Sequence, residues 1–205
     1  MDTIIIDYDM GNVKSIQNQL KRISYNSVIS SDKKEIDKAD KLILPGVGHF
    51  SQGMKNIIEH DLFDTLNYVV TEKKTPILGI CLGMQLFTEY SEEGQSKGFG
   101  WLDATTIRFS INNGFNQYRI PHIGWNNLHI NRTSKLLEGI DENDFFYFVH
   151  SYYVKSSHKQ NILAITNYSE EFISAIQKDN IYGTQFHPEK SHQSGIKILK
   201  NFMEL

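Results

Sequence analysis

Short apolar runs alternate with helix-period stretches through the first half of the chain. Thr3-Ile4-Ile5-Ile6 reads as a buried strand, Val28-Ile29 as a second and Lys41-Leu42-Ile43-Leu44 as a third, ended by Pro45-Gly46. Pro76-Ile77-Leu78-Gly79-Ile80 reads as a fourth. Between them Val13, Ile16, Leu20 and Ile23 recur at helical spacing behind Asn12, a residue type that caps helix N-termini. Met54, Ile57 and Ile58 predict a further helix, and residues 62–70 and 82–90 two more. Strands alternating with helices predict an α/β fold whose mainly parallel sheet is flanked by helices.

From about residue 98 to 176 the texture changes: aromatics and Asn increase and helical periodicity fades. Residues 104–109, 127–130, 145–149, 162–166 and 172–177 predict strands of an antiparallel extension. Ile181-Tyr182-Gly183-Thr184-Gln185-Phe186 predicts another strand, and Ile196, Leu199, Phe202 and Met203 share one face of a last helix. No repeat, low-complexity tract or linker interrupts the chain, so residues 1–205 are expected to form a single domain.

Composition narrows the function classes. The 205 residues carry 21 basic and 24 acidic side chains, a formal charge of −3, which argues against a cationic nucleic-acid binder. No run approaches the roughly 18 apolar residues of a membrane helix. The start, Met1-Asp2-Thr3-Ile4, lacks a basic region followed by an apolar run, so no signal peptide is expected. Cys81 is the one cysteine, which excludes an internal disulfide and makes a reducing cytoplasm the simplest home.

That cysteine sits in Gly79-Ile80-Cys81-Leu82-Gly83, between a predicted strand and a predicted helix. The G-x-C-x-G spacing is the thiol counterpart of a nucleophile elbow, a strained turn that projects its apex side chain from the sheet top. A helix N-terminus would favour negative charge on the sulfur, and the Leu82 amide would face the same spot as an oxyanion-hole donor. A lone cysteine is most often an inert, buried small hydrophobe; here the flanking glycines and the strand–turn–helix context favour the nucleophile.

Of eight histidines, His49, His150 and His187 follow predicted strands. His187 alone among them has a carboxylate two residues on, in Gln185-Phe186-His187-Pro188-Glu189. In extended chain such residues point the same way, and Pro188 disfavours helical geometry at His187. Glu189 can therefore orient the imidazole while His187 takes the thiol proton. A metal reading of His187, Glu189 and His192 does not match the H-E-x-x-H helix pattern, and neither metal nor cofactor is expected. Pro45-Gly46-Val47-Gly48-His49 admits three readings: a plain turn, a phosphate cradle that lacks the G-x-x-x-x-G-K-[ST] pattern, or a source of a second oxyanion-hole amide near Val47 or Gly48.

Pro45-Gly46-Val47-Gly48, Gly79-Ile80-Cys81-Leu82-Gly83-Met84-Gln85 and Gln185-Phe186-His187-Pro188-Glu189 together resemble class I (triad) glutamine amidotransferases, in order and from end to end. The resemblance implies a flavodoxin-like sheet with an antiparallel extension, and hydrolysis of the glutamine amide to glutamate and ammonia. Asp7-Tyr8-Asp9-Met10-Gly11-Asn12, Pro121-His122-Ile123-Gly124-Trp125-Asn126, Phe148-Val149-His150-Ser151-Tyr152-Tyr153 and residues 186–191 resemble one branch, the glutaminase subunits of imidazole glycerol phosphate synthases. That branch implies a separate (β/α)8-barrel cyclase subunit, which forms a heterodimer and receives the ammonia for histidine biosynthesis.

The resemblance assigns Cys81 as nucleophile, His187 as base then acid, and Glu189 as orienter. It assigns the oxyanion to the Val47 and Leu82 amides, and glutamine to Gly48, Gln85, Glu93, Ser151 and Tyr152. Met10, Asn12, Trp125, Asn126 and Tyr147 would lie near the partner interface. Without it, Gln85 is a solvated helix residue, Glu93 part of an acidic loop, and Tyr152 and Trp125 packing aromatics. One departure stands out: Asp9 occupies a position where relatives commonly have glycine or another small residue. Gly98-Phe99-Gly100-Trp101 and Ser191-His192 are also compatible with a paralogue that feeds a sugar-amidating partner in surface-polysaccharide biosynthesis. Another thiol hydrolase, or a catalytically silent binding subunit, are the further alternatives.

Overall fold

The computed structural model describes residues 2–110 and 118–205. Five parallel strands form one half of an eight-stranded sheet: β1 (Thr3–Ile6), β2 (Val28–Ser30), β3 (Lys41–Gly46), β4 (Ile77–Cys81) and the late strand β14 (Ile181–Thr184), in the order β2-β1-β3-β4-β14. The sheet then turns antiparallel through β13 (Glu170–Lys178), β12 (Ile162–Tyr168) and β9 (His129–Ile130). Strands buried on both faces need apolar residues at every position, and β1 shows it. Ile4 and Ile6 join one core cluster while Ile5 joins the other, on the opposite face.

The helices cover those faces. In α1 (Val13–Arg22) the Asn12 side chain accepts the Ser15 N–H, the expected cap, and Ile16 and Leu20 are buried. α2 (Lys33–Lys38), with no clear apolar period, was not anticipated. α3 (Phe50–Glu59) buries Met54 and Ile57 but leaves Ile58 exposed. α4 (Phe63–Asn67) continues as a π-helical turn, Tyr68–Glu72, within the expected stretch. The last helix, α6 (His192–Met203), is held at its end by the buried Lys41, whose Nζ donates to the carbonyls of Phe202, Met203 and Leu205.

The helix expected over 82–90 is much shorter. α5 (Leu82–Gln85) is a single turn, after which the chain enters β5 (Thr88–Ser91). Thr88 ends the helix: its hydroxyl donates to the Gln85 carbonyl at 2.8 Å, and its branched side chain suits a strand. β5 belongs to a four-stranded sheet, β11-β7-β5-β6, with β6 (Ser96–Lys97), β7 (Leu102–Arg108) and β11 (Tyr152–Lys155). A separate two-stranded ribbon pairs β8 (His122–Asn127) with β10 (Phe145–His150), so the strand expected over 127–130 is split between β8 and β9. Among the described residues no helix is long and apolar enough to cross a membrane.

Candidate active site

The carboxyl ends of β3, β4 and β14 converge. Gly46 pairs with Cys81 across β3 and β4, and Thr184 with Ile80 across β14 and β4, so the glycine loop, the cysteine and the segment leading to His187 emerge together. Cys81 sits at φ 55° and ψ −109°, a strained conformation for a residue with a side chain. The two flanking glycines make the turn possible. A Cβ on Gly83 would stand 1.9 Å from the Leu44 carbonyl oxygen, and one on Gly79 would stand 2.5 Å from the Phe87 ring.

His187 and Glu189 lie behind the cysteine, both almost fully buried. His187 Nδ1–H donates to Glu189 Oε1 at 2.9 Å, because an ionised carboxylate can only accept. His187 Nε2 is sealed from solvent and has no aligned hydrogen-bond partner, so the Cys81 sulfur acts on it chiefly through charge. Burial opposes a charged imidazole, yet the negative sulfur of Cys81 and then Glu189 outweigh it and raise the His187 pKa to about 10. The raised value favours a His187 imidazolium, placed between the Cys81 sulfur and the Glu189 carboxyl.

A cavity of about 160 Å³ opens over the sulfur. Val47, Gly48, Cys81, Leu82, Gln85, Glu93, Ser151 and Tyr152 all line it, so the residues expected for nucleophile, oxyanion and substrate share one space. The Leu82 N–H starts α5 and therefore has no intrahelical acceptor. Gly48 adopts φ 108°, which a side chain would strain. Gln85 Nε2 donates to the Tyr152 carbonyl (2.9 Å) and to Gln185 Oε1 (3.0 Å), leaving its own carbonyl oxygen for the cavity. Glu93 Oε2 accepts the Phe50 N–H at 2.8 Å, leaving Oε1 as its second acceptor. A larger groove of about 540 Å³, between Ile130 and Ile140, is lined by neither a cysteine nor a histidine.

The expected interface residues fall into two groups. Met10 borders the glycine loop, its methyl 3.0 Å from where a Gly48 Cβ would stand, and Asn12 is exposed while capping α1. Trp125, Asn126 and Tyr147 lie on the β8–β10 ribbon, where Tyr147 pairs with Trp125 and their rings meet at 5.9 Å. His192, from the alternative metal set, instead stacks on Trp125 at 4.9 Å and 8°. Asp9 adopts φ 63°, a conformation that glycine favours and Asp tolerates, and its carboxylate meets His60 Nε2 at 2.7 Å.

Two further buried residues of the sequence motifs, to which sequence reasoning assigns no role, touch the nucleophile candidate and the His187 backbone. Gln185 donates from Nε2 to the Cys81 sulfur at 3.6 Å, and Ser191 donates from its hydroxyl to the His187 carbonyl at 2.6 Å. The two-residue spacing from Gln185 to His187, the same as from His187 to Glu189, was the signal available for the first.

The glutamine amidotransferase class-I family matches residues 4–205. The chain belongs to the class I glutamine amidotransferases. This amidotransferase is 53% identical over 200 residues to "Imidazole glycerol phosphate synthase subunit HisH 2" of Methanococcus maripaludis, and 46% over 204 residues to HisH 1 of that organism. It is 40% identical over 201 residues to HisH of Leptospira borgpetersenii; in each comparison 98% of both chains is covered. In fold, the amidotransferase is similar to a crystal structure described as a glutamine amidotransferase (TM-score 0.73, 18% identity, 98% and 97% of the two chains). It is likewise similar to PurLQS from Thermotoga maritima (TM-score 0.75, 15% identity, 99% and 97%). The flavodoxin-like reading of the fold agrees with the β2-β1-β3-β4-β14 order.

Proposed function

We propose that this amidotransferase is the glutaminase subunit of an imidazole glycerol phosphate synthase. It hydrolyses glutamine to glutamate and ammonia, and passes the ammonia to a (β/α)8 cyclase subunit in a heterodimer. It works in a reducing cytoplasm, where a lone thiol stays free. The observation that carries the reading is the line from Glu189 through the His187 imidazolium to Cys81, at the strained turn beneath the cavity. Near-full-length identity to HisH subunits supports the acceptor.

The Cys81 thiolate attacks the carboxamide carbon, and the carbonyl electron pair moves to oxygen. The Val47 and Leu82 amides hold that oxyanion, a contribution of ~3–4 kcal/mol per donor in such sites. His187 gives its proton to the departing nitrogen, the C–N bond breaks, and ammonia leaves a thioester on Cys81. His187 then takes a proton from water, which attacks the thioester and releases glutamate. Gly48, Gln85, Glu93, Ser151 and Tyr152 hold the substrate, with Glu93 Oε1 facing its ammonium and Gln85 offering a carbonyl oxygen. Met10, Asn12, Trp125, Asn126 and Tyr147 lie toward the cyclase. The test is Cys81→Ala, which abolishes glutamine-dependent synthesis but spares synthesis from added ammonia; glutamate release by the alanine variant would overturn the assignment.

One observation favours a second reading. Methanococcus maripaludis has two HisH subunits, and this chain shares 53% with one and 46% with the other. A second copy leaves room for a different acceptor, such as a sugar-amidating partner in surface-polysaccharide biosynthesis. Expression in a histidine auxotroph lacking its own glutaminase subunit decides: growth without histidine supports the cyclase, and failure to grow supports the paralogue.

A further inference from the structure

Gln185 is fully buried two residues before His187, and its Nε2 stands 3.6 Å from the Cys81 sulfur, 104 positions away in the chain. Its Oε1 accepts from Gln85 Nε2 at 3.0 Å, and Gln85 Nε2 also donates to the Tyr152 carbonyl at 2.9 Å. The direction of this relay is set at its far end. A backbone carbonyl only accepts, so Gln85 must turn its amino group toward Tyr152. That group then requires an acceptor on Gln185, which leaves Gln185 to turn its own N–H toward the sulfur. His150 Nδ1 also meets the Tyr152 carbonyl, at 2.8 Å, and holds it from a second side.

The sulfur has a competing neighbour. The Val149 carbonyl oxygen lies 3.9 Å away, a partner for a neutral thiol and a repulsive one for a thiolate. α5 is one turn long, so its N-terminus has little dipole to offer the sulfur. A neutral donor aimed at the sulfur supplies what the short helix does not.

We propose that Gln185 is a hydrogen-bond donor to the nucleophile, favouring the Cys81 thiolate over the thiol paired with Val149, with its direction fixed by Gln85 and the Tyr152 carbonyl. The inference rests on Cys81 being the nucleophile. It adds a fourth side chain to the triad and ties the sulfur's charge to Gln85, a wall of the glutamine cavity. A donor lost from a charged acceptor is felt as about a tenfold change in the charged population.

The test is the pH profile of Cys81 alkylation by iodoacetamide in the full chain, with glutaminase kcat and KM measured in parallel. Gln185→Met keeps length and removes both hydrogen-bonding groups. Its profile is expected to move to higher pH, with alkylation at pH 7 slowed about tenfold and kcat falling more than KM rises. Gln185→Glu keeps the shape and puts a carboxylate against the sulfur, so its profile moves further still and serves if the Met variant does not fold. A folded variant with the wild-type profile would overturn the proposal. Should Cys81→Ala with Gln185 intact retain glutaminase activity, the nucleophile assignment falls first and this inference with it.

Discussion

The backbone N–H of His187 donates to the carbonyl oxygen of Tyr147 at 2.9 Å. The tie runs both ways: the Tyr147 N–H donates to Ser191 Oγ at 3.0 Å, and the Ser191 hydroxyl donates to the His187 carbonyl at 2.6 Å. Three hydrogen bonds therefore tie His187 to the ribbon strand β10. Because Tyr147 pairs with Trp125 on β8, a protein that presses on Trp125 presses on the support of His187.

Ser191→Ala removes the middle of that tie and leaves the Tyr147 N–H without its acceptor. The expected loss is ~1–3 kcal/mol in urea unfolding. Glutamate release should fall several-fold even below the unfolding range, because His187 is no longer held from both sides. Unchanged turnover in a destabilised variant would separate the ribbon from the chemistry.

Trp125 is half-exposed on that ribbon, with exposed Ile123 and Phe145 beside it. If the barrel docks there, Trp125→Ala should weaken its binding by ~2 kcal/mol or more, about thirtyfold, with little change in the stability of the isolated chain. Calorimetric titration with the barrel subunit reads this directly. The isolated chain should release glutamate slowly and be strongly stimulated by the acceptor-loaded barrel.

Glu189→Gln keeps the shape of the carboxyl and removes its charge. The negative sulfur and Glu189 are what raise the His187 pKa from 6.5 to about 10, against the opposing effect of burial. Without Glu189 the imidazolium loses its proton at lower pH, so the alkaline limb of activity moves down and kcat falls by ~10²-fold or more. The stability linkage has the matching sign. A raised folded-state pKa contributes stability that is complete below pH 6.5 and lost as pH rises through about 10; in the glutamine variant that loss begins earlier.

His122 and His150 make a buried pair, Nδ1 to Nε2 at 3.2 Å, with His122 stacked on Tyr168. Burial holds their pKa values down, to about 4 and about 3. Between pH 6.5 and those values the unfolded chain binds more protons, so stability falls as pH is lowered, by up to ~1.4 kcal/mol per pH unit per histidine. His122→Leu should flatten the decline. A wild-type melting temperature constant from pH 6.5 to 4 would contradict a neutral pair.

Gly83→Ala places a methyl group 1.9 Å from the Leu44 carbonyl, a clash with backbone rather than with a flexible side chain. The elbow can relieve it by lifting α5 off β3, which moves Cys81. Loss of ~3 kcal/mol or failure to fold is expected, measured by thermal unfolding.

The parallel half of the sheet was legible because strands buried on both faces read as unbroken apolar runs, as in Thr3–Ile6 and Ile77–Cys81. The glycine spacing around Cys81 and the His187–Glu189 pair were legible because local backbone geometry dictates them. The end of α5 was not: Leu82, Met84, Leu86 and Phe87 are all buried, so the apolar pattern runs on past the point where Thr88 stops the helix. Nor was the role of Gln185, whose partners Gln85 and Cys81 lie about a hundred positions away and become neighbours through β4–β14 pairing alone.

That pairing also sets when chemistry can begin. β14 is inserted between β4 and β13, so the chain must lay down its last strand in the middle of the sheet rather than at an edge. Such a long-range closure is slow and comes after the local helices and turns have formed. Until it is made, Cys81 stands at the end of β4 without His187 at its side. On the proposed mechanism a ribosome-bound or misassembled intermediate is therefore unable to liberate ammonia, and turnover is itself a report that assembly is complete.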